Sequence, residues 1–432
     1  MTDLIVVLLL FSTLVLMVAG ILFFHKREGF FSVFFVFSIG LFVYFLLIPI
    51  ELWIRSDMGF YTGGRYVEIG RHIVFLIAQS GMSLLFFFCG LIVGGYRFVP
   101  DKPMQTFEGN AIGVINLLFF SIFIIVSGIV FWDNIQLELE SYFNVAGVAY
   151  ANPLYSIIKY TILLILSVIS IYYIKRKRAI GWVFIIIPFL FGVVTSDKNP
   201  MLISLISVAT VFGSRIKSPK KALMLLVLIV PLLFSFLVLI RSFSFWRGGA
   251  SFLDSTLRAL EEFTFTRIDP ASLYISIEYY LNRWDMNWGS SYIDNFTLLI
   301  PRFIMPNRPP DLAESFAQII IDDWQMGQGV GFSPLAEAIL NFQDLAFIHF
   351  LFLGIFWALF WRITYRIWKV TLPSEIFPIF YRVYGLYFLM VGFRSSSLHF
   401  FKIMPMYVIF GFFIFIVIGM WRRRHYENTL GS

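Results

Sequence analysis

The sequence predicts an all-α polytopic membrane protein of about 11 transmembrane helices, with a large helical loop on its outer face between the eighth and ninth spans. Three observations carry this. Of 432 residues, 14% are charged and 59% hydrophobic, against about 25% and about 45–50% in an ordinary soluble chain, and the mean hydropathy is +0.83. Apolar runs that cross or nearly cross a bilayer recur along the chain, near 4–24, 30–53, 72–95, 109–132, 154–174, 180–195, 200–213, 222–240, 345–361, 376–393 and 403–421. Lysine and arginine gather in every second connection, where 18 of the 33 basic residues fall.

Those basic connections are Lys26-Arg27, Arg97 with Lys102, Lys175 to Arg178, Arg215 to Lys221, Arg362 with Arg366 and Lys369, and Arg422 to Arg424. The positive-inside rule puts them in the cytoplasm, the N-terminus outside and the C-terminus inside. The first run, Leu4 to Phe24, lacks a basic n-region and a small-residue cleavage site and is expected to be a retained span. Topology accounts for most of the net charge of +7 and leaves no basic strip for a phosphodiester backbone, so nucleic acid is excluded as a partner. The single cysteine, Cys89, can form neither an intrachain disulfide nor a Cys-rich metal site.

Three organisational blocks follow: spans one to eight over 1–240, the outer loop over 241–344, and spans nine to eleven with a short tail over 345–432. Within the first block, Ser196-Asp197-Lys198-Asn199-Pro200 breaks residues 179–214 into two halves, each short for a full span. The break is either a tight outer turn with a snorkelling Lys198 or a ligand-facing interruption. Gly90 and Gly94 form a GxxxG pair suited to close helix contact. In the loop, 252–265, 270–283, 312–322 and 333–344 carry helical spacing of apolar residues, the last opening with Ser333 as N-cap and Pro334 at the first helical position. Trp284, Trp288, Tyr292 and Trp324 between them suggest an interfacial lid.

Seven arginines lie in this loop or at its entrance: Arg241, Arg247, Arg258, Arg267, Arg283, Arg302 and Arg308. Arginine suits bidentate recognition of phosphate oxygens, and a basic cluster on the outer face runs against the positive-inside bias. Arg258, near Glu261 and Glu262, reads as a helix-surface ion pair. Arg241 at a span end and Arg302 in Ile-Pro-Arg-Phe read as anion ligands. Arg394, His399 and Lys402 share the short outer turn before the last span, where they could ligate an anionic headgroup or snorkel to lipid phosphate. Glu337 stands among Leu335, Ala336, Ala338 and Ile339. A carboxylate in such company is either paired with an arginine or positioned to take a proton from a hydroxyl. Asp322-Asp323 reads as a solvated helix end, and no metal site, Walker A sequence or GxSxG is present in the sequence.

Three stretches carry a resemblance: Arg267 to Tyr274 (RIDPASLY); Trp288 to Tyr292 (WGSSY) with Ile300 to Pro309 (IPRFIMPNRP); and Gly331 to Phe342 (GFSPLAEAILNF). In their order, and in the hydropathy around them, they resemble the O-antigen polymerase (Wzy-type) family. The third stretch is similar to the place where the related O-antigen ligases carry a histidine at the start of a loop helix; Glu337 stands there. The resemblance implies a GT-C-like membrane glycosyltransferase of the bacterial inner membrane, with its loop in the periplasm. The implied reaction joins undecaprenyl-diphosphate-linked oligosaccharides, as donor and acceptor, without metal or cofactor, and its stereochemistry stays open. Besides membrane lipids, the resemblance brings a chain-length-determinant protein as a candidate partner.

Set on these residues, that reaction makes Glu337, Arg302, Arg241 and His399 the catalytic candidates. Lys198, Arg241, Arg267, Arg302, Arg308 and Arg394 are the candidates for the diphosphate. Two other classes compete: a flippase or other transporter for lipid-linked oligosaccharides, and an O-antigen ligase. A transporter would concentrate charge near the midplane and would not need a helical outer lid.

Overall fold

A computed structural model of the chain describes residues 2–29, 31–55, 59–62, 65–70, 72–96, 124–140, 153–195, 197–213, 251–261, 270–280, 287–298, 309–320, 331–371 and 376–416, with isolated positions between 216 and 307. In chain order the elements are α1 (Thr2–Glu28), α2 (Val33–Arg55), β1 (Gly59–Thr62), β2 (Arg65–Glu68), α3 (Ile73–Val93), α4 (Trp132–Glu140), α5 (Pro153–Lys175), α6 (Ile180–Thr195), α7 (Lys198–Gly213), α8 (Phe252–Glu261), α9 (Pro270–Tyr280), α10 (Ser290–Thr297), α11 (Leu312–Ile320), α12 (Pro334–Phe342), α13 (Phe347–Thr371), α14 (Phe377–Gly392) and α15 (His399–Ile416).

Six of these, α1, α2, α3, α5, α13 and α15, are long and apolar enough to cross a membrane, and α6, α7 and α14 are shorter apolar helices. The chain is a helical membrane protein. Most of the expected spans 109–132 and 222–240 lie outside the described residues, as do Asp322 and Asp323. One departure from the all-helical expectation is the antiparallel hairpin β1–β2, which pairs Phe60 with Val67 and Tyr61 with Tyr66. These are the aromatic and β-branched types that suit a pleated ribbon.

The chain divides into two compact units: residues 1–98, 264–363 and 388–405 in the first, and 99–263, 364–387 and 406–432 in the second. In the first unit α1 packs on α3 and α2, and α9 packs on α12. Helix α1 leaves Leu4, Val7, Leu8 and Phe11 exposed, an apolar surface suited to lipid. Among the described residues, π-helical turns at 42–46 and 381–385 interrupt α2 and α14, and one at 399–403 opens α15. Hydropathy carries no signal for them, because a π turn inserts a residue without changing composition.

The GxxxG pair makes the expected close contact. A Cβ on Gly90 would run into the Leu351 carbonyl oxygen and stand 3.0 Å from the Gly354 Cα, and one on Gly94 would stand 2.7 Å from the Ala358 Cβ. Helices α3 and α13 thus cross backbone to backbone. Gly90→Leu is therefore expected to cost about 1–3 kcal/mol of stability, read as a lower unfolding midpoint in detergent.

In the second unit α5, α6 and α7 pack mutually, and the π turn at 381–385 lies against α5 and α7. The break between α6 and α7 turns inward. Asp197, 4% exposed, caps α7 by accepting from the Asn199 N–H at 3.0 Å, accepts from the Tyr160 hydroxyl at 2.6 Å, and pairs with Lys159 at 3.4 Å. Lys159 of α5 thus holds the carboxylate beside which the sequence reading placed Lys198. Lys198 is half-buried at the start of α7.

Candidate functional site

Helix α12 is a short helix buried on every side. Its start follows from sequence: the Ser333 Oγ accepts the Ala336 N–H at 3.2 Å, with Pro334 inside the first turn. The Ser333 hydroxyl also bonds that of Ser272 on α9. Two carbonyls at the C-terminal end, of Leu340 and Asn341, accept the N–H groups of Asn287 at 3.3 Å and Trp288 at 3.1 Å. These bonds satisfy helix-end acceptors that would otherwise be unpaired, and they tie the segment ahead of α10 to α12.

Glu337 is the one acidic residue of α12 and is fully buried. Its Oε1 accepts from the Ser291 hydroxyl at 2.9 Å, the Asn295 amide at 3.1 Å and the Ser397 hydroxyl at 2.8 Å; its Oε2 accepts the Ser397 N–H at 2.5 Å. Asn295 also donates to the Ser397 Oγ at 2.7 Å, and Asn341 to the Ser291 Oγ at 2.6 Å. Ser291 and Asn295 are four residues apart on α10, so one helix face presents both. The carboxyl therefore joins α12, α10 and the turn before α15 through neutral donors. It has no ion-pair partner among the described residues, which leaves the arginine-pair alternative without support there.

A second acid, half-buried, borders the same turn. Asp311, just ahead of α11, accepts from the Ser396 hydroxyl at 3.2 Å. Consecutive serines thus hold two carboxyls drawn from two parts of the loop. Burial pushes the Glu337 carboxyl from an ordinary 4.5 to about 7; the Ser397 and Ser291 donors pull it back only in part, and Asp311 adds a small upward push. Asp311 is likewise raised, chiefly by burial. Tyr292 is raised well above its ordinary value by burial and then by the nearby Glu337 charge. Its hydroxyl bonds His349 Nδ1 at 2.7 Å, with the two rings stacked.

Stability should respond to pH accordingly. A folded-state pKa above the unfolded one means that the native protein holds its proton longer. Stability is then full below about 4.5 and falls as pH rises to about 7, by roughly 3 kcal/mol for Glu337. The unfolding midpoint of the wild type is expected to drop between these pH values, and that of Glu337→Gln to drop by much less.

Of the other residues expected at the site, Arg394 is half-buried three positions before Ser397, its N–H bonded to the Val391 carbonyl at 3.1 Å. His399 is buried, with Nε2 3.1 Å from the Phe388 carbonyl oxygen and its ring against Phe388 and Phe400. Lys402 directs its ammonium to the Leu298 carbonyl at 2.5 Å. Lys198 belongs to the second unit. Arg241, Arg267, Arg302 and Arg308 lie outside the described residues. Among the described residues no group of three His, Cys, Asp or Glu is placed to hold a metal ion.

Sequence reasoning missed Ser291, Asn295, Asp311, Ser396 and Ser397. Two signals could have found most of them: the run Ser395-Ser396-Ser397 beside an apolar span, and the four-residue spacing shared by Ser291 with Asn295 and by Glu337 with Asn341. Comparisons with protein-family models, with curated proteins and with solved structures return no match.

Proposed function

We propose that this chain is a membrane glycosyltransferase that extends an undecaprenyl-diphosphate-linked oligosaccharide at the outer face of the bacterial inner membrane. The observation that carries the reading is the fully buried carboxyl of Glu337, pushed up to about 7 by burial and held, among the described residues, by neutral donors. A carboxyl so tuned is suited to accept a proton near neutral pH. It stands on the loop helix whose sequence, Gly331 to Phe342, resembles the O-antigen polymerases.

In this reading an acceptor sugar hydroxyl attacks the anomeric carbon of the donor. The new glycosidic C–O bond forms as the bond to the lipid diphosphate breaks, and the hydroxyl proton passes to Glu337. Because Glu337 has no exposed surface, the proton reaches it through the Ser291 or Ser397 hydroxyl, each bonded to Oε1. The leaving diphosphate gains negative charge, which Arg302 and Arg394 match, with Arg267 and Arg308 as further ligands; Arg241 and Lys198 are anion-ligand candidates from sequence alone. His399, bonded to a backbone carbonyl, serves to position the turn.

The test supplies purified protein in proteoliposomes with lipid-linked repeat units and no lipid A core. A ladder of extended products supports the polymerase. Transfer of the lipid-linked unit across the bilayer without extension would instead identify a flippase, and product formed only after adding core acceptor a ligase. In the same assay Arg241→Ala and Arg302→Ala are expected to abolish the ladder, whereas Arg258→Ala leaves it nearly unchanged. Equal sensitivity of all three would mean that the loop arginines act as structural ion pairs.

A further inference from the structure

A cavity of about 400 Å3 lies within the second unit, walled by the helical residues 124–135, by α5 and by α6. Its volume falls in the range of about 300–1,000 Å3 typical of small-molecule pockets. The lining is apolar almost throughout, with Ile158, Ile162, Leu163 and Phe184 prominent, and Lys159 is its one charged residue. The walls reach an exposed apolar surface: Ile187 lines the cavity and is exposed, and Ile125, Ile129, Val183 and Ile186 beside it are exposed as well.

The Lys159 ammonium lies 4.7 Å from the Tyr160 ring centroid and 5.9 Å from that of Phe191, and its carboxylate partner, Asp197, at 3.4 Å, is not part of the lining. A ligand in the cavity therefore meets a hydrocarbon lining and one cation. We propose that this cavity binds the hydrocarbon chain of an anionic membrane lipid, with the lipid phosphate drawn to Lys159. The bilayer supplies such a ligand laterally, and a phosphate beside a lysine in apolar surroundings gains a charge-assisted hydrogen bond. The site does not depend on the glycosyl-transfer reading.

Gly128 gives a clean test, because it lines the cavity and a Cβ placed on it meets nothing within 4 Å. Gly128→Leu adds a side chain at the cavity wall, its Cβ free of contacts, and favours the helix. Full-length protein is reconstituted in nanodiscs of phosphatidylcholine with a minor share of phosphatidylglycerol, and retained lipid is read by native mass spectrometry after detergent release. The wild type is expected to keep phosphatidylglycerol about tenfold over its share. Gly128→Leu should lose lipid retention while keeping its unfolding midpoint; should it fold poorly, Ile162→Trp reads the same filling. Lys159→Gln with Asp197→Asn, which neutralises both partners, should retain lipid without preferring the anionic one. Wild-type protein that keeps no lipid, filled variants that keep as much as wild type, or a doubly neutral variant that still selects phosphatidylglycerol would each overturn the proposal.

Discussion

Glu337→Gln is expected to lower chain extension by at least about two orders of magnitude while donor binding stays close to wild type, since a glutamine cannot accept the hydroxyl proton. Parallel measurements of donor affinity and turnover on the purified variant separate these quantities. The hydrogen bonds add a stability effect that sequence alone did not suggest. Oε1 faces three donors and Oε2 faces the Ser397 N–H, so either orientation of a glutamine amide sets an N–H against a donor. That mismatch costs about 1–3 kcal/mol. Glu337→Ala leaves all these donors without the carboxylate and should fold poorly, which makes glutamine the informative variant. A Gln variant that extends chains at near wild-type rate would remove Glu337 as base and make it a brace between α12 and the 395–398 turn.

Removing Lys159 should be among the most destabilising single changes in the second unit. Lys159→Ala leaves Asp197 buried and without its cation, a loss of about 3–5 kcal/mol. Lys159→Gln combined with Asp197→Asn should recover much of that, because the Tyr160 hydroxyl and the Asn199 N–H still find an oxygen at position 197. Thermal unfolding in detergent gives the comparison. If the double variant is no more stable than Lys159→Ala, the pair is not what holds the break between α6 and α7.

How far the sequence reaches can be judged from these same residues. Hydropathy placed helices where α1, α2, α3, α5, α6, α7, α13, α14 and α15 lie, because burial in hydrocarbon demands long apolar runs with internally satisfied backbones. The Ser333-Pro334 start of α12 was legible for a local reason, since capping is decided within one turn. Glu337 stood out as an acid among apolar neighbours. Its partners did not, because Ser291, Asn295 and Ser397 are ordinary polar residues until the chain brings positions 46, 42 and 60 residues away from Glu337 together. Lys159 escaped notice inside a predicted span, and Lys198 drew attention as the lysine of the polar break, although the ion pair of Asp197 goes to a residue 38 positions away.

The most direct measurement of the central claim is the pH dependence of chain extension at saturating lipid-linked donor. With Glu337 as the proton acceptor, the wild-type rate should rise about tenfold per pH unit below about 7 and level off above it. The residual rate of Glu337→Gln should lack that step. A Gln variant with the same rise and plateau, or a wild-type rate flat across this range, would contradict proton transfer to Glu337.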